Sequence, residues 1–197
     1  MYNLRVVDRI RTAELVSEAT RLPFIVVPLF LLLGYSAAGG SGLLWGALCI
    51  FLTSGLSLLY LLHLTRSGKV RDPRRIGREE RVRPLWIVAG LHASAWLVLT
   101  LLGAPAVLRA VLLSYVLATL AFALLTPVVK ISLHAAGVSG ATVCLLFVFG
   151  WWGALAAPLL PVVWWARSAL GRHTPPELAL GSAVGGGSAL LAFFVLL

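Results

Sequence analysis

From residue 22 onward the chain is a succession of apolar runs, most of them close to the length of a bilayer crossing, separated by connections carrying Gly, Pro or charge. A membrane-spanning helix needs roughly 20 predominantly apolar residues. In hydrocarbon, only a structure that satisfies its own backbone N–H and C=O groups persists, which excludes open sheets. Charged residues make up 12% of the sequence, whereas soluble domains carry about 25%. The expected fold class is therefore all-α, a polytopic transmembrane bundle of roughly six to seven helices occupying 22–197 as a single domain.

Residues 1–21 differ in kind. Arg5, Asp8, Arg9, Arg11, Glu14, Glu18 and Arg21 alternate with Leu4, Val7, Ile10, Ala13 and Val16 at roughly helical spacing, the pattern of an amphipathic helix lying in the membrane interface. No small-residue cleavage site follows a short apolar core, so the segment does not read as a removed signal peptide. The crossings are expected at about 22–39, 42–64, 84–103, 106–128, 139–156, 158–170 and 175 to the end. Glycines at 39, 40 and 42 make the first connection a tight hairpin, and Gly181, Gly185, Gly186 and Gly187 predict close packing of the last helix. Trp151, Trp152, Trp164 and Trp165 are candidates for interface residues.

The net charge of +9 is distributed along the chain in a way that excludes nucleic acid as the natural partner. With seven crossings, every Lys and Arg except Arg109 falls on one side, including eight in the polar loop 66–83. The positive-inside rule makes that side cytoplasmic, and the membrane expected is the plasma membrane. Cys49 and Cys144 sit inside apolar segments without metal-ligand spacing, so neither a disulfide framework nor a zinc site is supported. No metal and no cofactor are expected. Asp8 and Asp72 are the only aspartates, which leaves no paired Asp-rich motifs for a magnesium-dependent prenyltransferase.

The chemistry concentrates in Ala166-Arg167-Ser168-Ala169-Leu170-Gly171-Arg172-His173-Thr174-Pro175-Pro176-Glu177, between two apolar segments. Ionisable groups beside hydrocarbon are costly and mark functional sites by default. Arginine offers a permanently charged planar fork for phosphoryl oxygens. A neutral imidazole can attack phosphorus once a third group fixes its tautomer, and Glu177 is spaced to do that. The same residues also spell a helix start, with Thr174 at the N-cap, Pro175 at the first helical position and Glu177 closing a capping box. Both roles stand for Glu177. His63 fits a helix terminus and His92 a structural buried histidine.

This stretch resembles the third motif of the type 2 phosphatidic acid phosphatase (PAP2) superfamily, Ser-Arg-x5-His-x3-Asp, with Ala166 for the serine and Glu177 for the aspartate. The family's first motif, Lys-x6-Arg-Pro, has a counterpart in the 66–83 loop. Arg83–Pro84 supplies the Arg-Pro and Ile76 stands where the lysine would be; Arg78 and Arg81 are favoured as the phosphate-binding pair, with Lys69 a further candidate. The second motif, Pro-Ser-Gly-His at a helix start, has its counterpart in Val138-Ser139-Gly140-Ala141, where Ala141 replaces the histidine and His134, seven residues upstream, is the nearest substitute proton donor. Gly137, Ser139 and Gly140 equally suit close helix packing.

The resemblance implies a PAP2-like integral-membrane lipid phosphatase that hydrolyses a lipid or isoprenoid phosphate through a phosphohistidine at the cytoplasmic face. His173 would be nucleophile, Glu177 its orienting group and His134 the acid. Lys69, Arg78, Arg81, Lys130, Arg167 and the Ser139–Gly140 backbone would hold the phosphate. The rival expectation is a non-catalytic membrane protein of the same shape that binds anionic lipid or a partner protein.

Overall fold

The structure, a computed structural model, describes residues 2–69 and 78–197, with side chains over 7–69 and 82–197. Helices are the regular structure of the described residues: α1 (Tyr2–Ala19), α2 (Leu22–Ile50), α3 (Leu56–Arg66), α4 (Arg78–Leu101), α5 (Ala106–Leu125), α6 (Leu133–Phe149), α7 (Leu159–Ala169) and α8 (Pro175–Leu196). A π turn, Phe51–Gly55, joins α2 to α3, and a 3₁₀ segment, Gly150–Ala156, leads into α7.

Five stretches are long and apolar enough to cross a membrane: Leu22–Arg66, Val82–Leu101, Ala106–Leu125, Leu133–Ala156 and Pro175–Leu196. The first runs for 45 residues, which as one straight helix would be about 67 Å long, twice the roughly 30 Å of hydrocarbon. It doubles back instead. Ala38 (φ −152°, ψ 22°) and Gly39 (φ 58°, ψ −134°) leave the helical region and reverse the chain. Gly39 lies in the left-handed half of the map that side-chain-bearing residues avoid. A Cβ on Gly42 would overlap the Gly34 carbonyl, and one on Gly46 would come within 2.6 Å of the Phe30 carbonyl. The two limbs therefore touch backbone to backbone, as the sequence hairpin at 38–42 requires.

The same device recurs after α6. Gly150 has φ 55° and ψ −131°, and a Cβ on Gly153 would overlap the Leu145 carbonyl. The chain reverses there, not at the Ala157–Pro161 break expected from the sequence. Ala157 (φ −58°, ψ −37°) and Pro158 (φ −60°, ψ −20°) continue in helical conformation into α7. A helix start at 139 is likewise corrected: α6 begins at Leu133, with Ser132 as N-cap accepting from the Ala135 N–H. Ser132 is the better start because its hydroxyl satisfies an otherwise orphaned donor.

The helices α4 and α5 form an antiparallel pair around Gly103, and α6 packs most extensively on α8. A Cβ on Gly181 would come within 2.5 Å of the Ser132 carbonyl, and one on Gly185 would overlap that of Ala136. Equal steps along both helices mean that α6 and α8 run parallel. Gly187, by contrast, faces open space. Phe30, Leu33, Leu99, Leu108, Leu112 and Phe193 are buried where α2, α4, α5 and α8 meet. The outer surface is apolar as well, with Leu44, Leu101 and Phe194 exposed. An apolar interior inside an apolar exterior is the arrangement of a bundle solvated by lipid. The protein is a multi-pass, all-helical membrane protein.

Candidate functional site

Two helix ends meeting back to back build the site. At the end of α7, Leu170 is the C-cap and Gly171, at φ 60°, follows it. The Gly171 N–H donates to the Ser168 carbonyl at 2.9 Å and the Arg172 N–H to the Arg167 carbonyl at 3.0 Å. These are the paired bonds of a Schellman motif. They turn the chain by one tight loop, and the His173 N–H then also points at the Arg167 carbonyl, 3.4 Å away. Thr174 opens α8 at once, with Pro175 at the first helical position and Glu177 closing the capping box. The spacing Arg-x5-His-x3-Glu is thus the spacing of a helix stop followed by a helix start.

Glu177 fills both roles that the sequence allowed. Its Oε2 accepts from the Thr174 N–H at 3.1 Å and lies 3.0 Å from His173 Nδ1. A carboxylate can only accept, so Nδ1 carries the ring proton and Nε2 the lone pair. The His173 side chain is 5% exposed. Burial pushes its pKa down to about 4, with the Glu177 hydrogen bond opposing that shift and the charges of Arg167 and Lys130 adding to it. The ring is neutral at pH 7, and its tautomer leaves Nε2 as the nucleophilic or basic atom.

Three other segments converge on this turn. Lys130, in the connection before α6, donates from Nζ to the Arg172 carbonyl at 2.6 Å. The Ser132 N–H reaches the Glu177 carbonyl at 3.4 Å, tying that connection to the first turn of α8. From α1, the Ser17 hydroxyl accepts from Arg167 Nη1 at 2.8 Å and from Arg172 Nη1 at 3.4 Å, while the Ser17 carbonyl accepts from His134 Nε2 at 3.1 Å. Arg167 is buried in the last turn of α7, where the helix dipole favours a cation. Two guanidiniums, an ammonium and two imidazoles around one carboxylate make a strongly positive site.

The structure brings together Arg167, His173, Glu177, Lys130 and His134. It adds Ser17 and Arg172, which the motif left out. Arg172 sits inside the motif's variable x5 stretch, where pattern matching ignores identity. Ser17 had a signal of its own: with Ala13 and with Thr20, just past the end of α1, it forms a stripe of small side chains at helical spacing, and that stripe, rather than Val7 and Ile10, is buried.

Ser139 and Gly140 lie elsewhere. They sit in the second turn of α6, their N–H groups inside the helix. Ser139 donates to the Ser182 carbonyl at 2.9 Å, and a Cβ on Gly140 would come within 3.2 Å of the Gly185 carbonyl. They are contacts between α6 and α8, which corrects the expectation that they begin a helix around an anion. Trp164 also turns inward, donating from Nε1 to Ser182 Oγ at 3.0 Å, whereas Trp151 and Trp152 are exposed at the Gly150 reversal. Lys69 is exposed just past the end of α3. Arg78 and Arg81 begin α4, on the membrane face that the α4–α5 hairpin shares with Lys130, and their side chains lie outside the described residues, as do residues 70–77 of the first motif's loop. His92 is buried edge-on to Tyr115, with ring centroids 5.5 Å apart, a structural setting.

Among the described residues no group of three or more His, Cys, Asp and Glu side chains comes together as a metal site. Comparison of the chain with protein-family models, with curated proteins and with solved structures returns no match.

Proposed function

We propose that the protein is a PAP2-like lipid phosphatase, acting on a lipid or isoprenoid phosphate through a phosphohistidine, with its site at the cytoplasmic face of the plasma membrane. The observation that carries this reading is the 3.0 Å contact of His173 Nδ1 with Glu177 beside Arg167 and Arg172. It is the base-and-orienter pair of nucleophilic catalysis, set next to donors suited to phosphoryl oxygens.

Catalysis of phosphoryl transfer is mostly positioning and charge neutralisation. Arg167, Arg172 and Lys130 hold the phosphoryl oxygens. Nε2 of His173 attacks phosphorus as the bond to the lipid oxygen breaks, and the ring, still bearing its Nδ1 proton, becomes cationic against the Glu177 carboxylate. The negative charge of the bound phosphate favours the protonated form of His134, which gives its proton to the departing alkoxide. Water, giving a proton to His134, then attacks phosphorus as the P–Nε2 bond breaks, which releases inorganic phosphate and leaves neutral His173.

The test is phosphate release from a panel of lipid and isoprenoid phosphates by the purified protein in detergent. Wild type turns over at least one, and His173→Ala turns over none. Retention of more than about a hundredth of the rate would argue against a covalent role, because acid–base losses alone reach about 10²- to 10⁴-fold. One observation favours the non-catalytic alternative: Ala141 stands where the motif histidine would be, and His134 Nε2 is engaged by the Ser17 carbonyl. Absence of turnover on the whole panel would select it.

A further inference from the structure

Both guanidiniums of the cluster and His134, which should meet a phosphate ester, meet Ser17 instead. Its hydroxyl oxygen takes the Nη1 donors of Arg167 and Arg172, and its carbonyl takes Nε2 of His134. Ser17 is 2% exposed although α1 is a surface helix whose neighbouring residues Glu14, Leu15 and Glu18 are open. A neutral hydroxyl is a weaker partner for two guanidiniums than a charged phosphoryl oxygen, whose hydrogen bonds are roughly twice as strong.

The hold on α1 is also light. It packs on α7, and its buried side chains Ala13 and Ser17, with Thr20 just past its end, are small and bury little apolar area, while Val7, Ile10 and Leu15 are exposed. Elements with few buried apolar contacts open at low free-energy cost. Once released, the exposed Val7, Ile10 and Leu15 with Arg9 and Arg11 suit the membrane interface.

We propose that Ser17 is an internal stand-in for the substrate's phosphoryl group, and that α1 is a lid which a phosphomonoester displaces. This rests on reading the cluster as a phosphate site. Displacement does two things at once: it gives the guanidiniums to the phosphate and frees the His134 Nε2–H to face the leaving oxygen. Binding is thereby coupled to assembly of the acid, and the empty site stays closed to water.

The full-length chain in nanodiscs of zwitterionic lipid tests this by hydrogen–deuterium exchange over residues 13–20, with two probes, inorganic phosphate and a non-hydrolysable phosphonate analogue of a lipid monophosphate. Ligand should raise exchange there. A response to both probes marks the phosphate group alone as sufficient; a response to the phosphonate only marks the lipid headgroup as the source. Ser17→Ala should bind the ligand tighter by about two- to tenfold, the worth of a hydrogen bond or so. Ser17→Asp, whose carboxylate keeps the guanidiniums, should bind it weaker by at least as much. Weaker binding in both variants, exchange that falls on ligand addition, or no binding by wild type would overturn the lid. Neither readout needs turnover, so a protein that opens α1 without releasing phosphate keeps the lid and loses the phosphatase, and one that hydrolyses without opening does the reverse.

Discussion

Glu177 shows why the residue scale resists pattern matching. A capping carboxylate and an orienting carboxylate were rival readings, yet one oxygen does both, because the cap holds it where the imidazole arrives. Replacement by Gln keeps an acceptor for Nδ1 and removes the charge. Glu177→Gln should lower kcat by about 10²-fold or more, in the range of lost acid–base assistance, with little change in KM. The pH profile carries the sign. His173 is active when neutral, and its pKa is pushed down to about 4, so the acid limb of kcat/KM should fall near pH 4 and not near 6.5. Since Glu177 holds that pKa up, the Gln variant should move the limb to still lower pH. A limb near 6.5 in the wild type would show that His173 is solvated, or that another histidine controls the rate. Arg167, His173, Lys130 and His134 were legible because their chemistry is unusual beside hydrocarbon; for Ser17 the small-residue stripe with Ala13 and Thr20 marks only a packing face, and its place in the cluster depends on what faces it.

Among the elements, the ones with punctuation were legible and the ones without were misplaced. Gly39 and Gly42 announced the first hairpin, and Thr174–Pro175 announced α8. The second reversal was missed because Phe149-Gly150-Trp151-Trp152 contains a single glycine in an apolar run, while Ala157-Pro158 nearby looked like a stronger break. A proline in the first turn of a helix, however, stops nothing. The 139 boundary erred for a related reason: Ser139–Gly140 was read as a helix start, whereas the close packing that small residues equally suit in a membrane helix is the role they fill, facing α8. That argument gives a paired prediction in the α2 hairpin. Gly42→Ala sets a methyl onto the Gly34 carbonyl, whereas a Cβ at Gly40 has nothing within 4 Å. Gly42→Ala should cost about 1–3 kcal/mol or more and visibly lower the thermal midpoint in detergent. Gly40→Ala should leave it unchanged or raise it slightly. Equal effects would mean that the two limbs are not in backbone contact.

On the scale of the whole molecule, the two reversals and the parallel run of α6 and α8 put Ser17, Lys130, His134 and 167–177 at one end of the bundle. The Ala38–Gly39, Gly103 and Gly150 turns then lie at the other. Charge alone gave the same division in the sequence, since Arg109, beside the Gly103 turn, is the one basic residue on that far side. The proposed phosphate site and the proposed insertion therefore rest on the same charges: Lys130, Arg167 and Arg172 lie at the end that the positive-inside rule assigns to the cytoplasm. Because Cys49 and Cys144 are both buried, single added cysteines can report the orientation. A membrane-impermeant maleimide applied to intact cells should label Ser41→Cys, Leu102→Cys and Trp152→Cys, and should leave Ser67→Cys and Ser168→Cys unlabelled until the cells are opened; all five positions are exposed. The reverse pattern would place the cluster outside, so that its substrate headgroup would come from the outer leaflet and the cytoplasmic assignment would fall while the fold stood. Labelling of Ser168→Cys together with Trp152→Cys in intact cells would instead mean that the chain from Gly150 through α7 does not return across the membrane, which would separate Arg167 from His134 and dismantle the site itself.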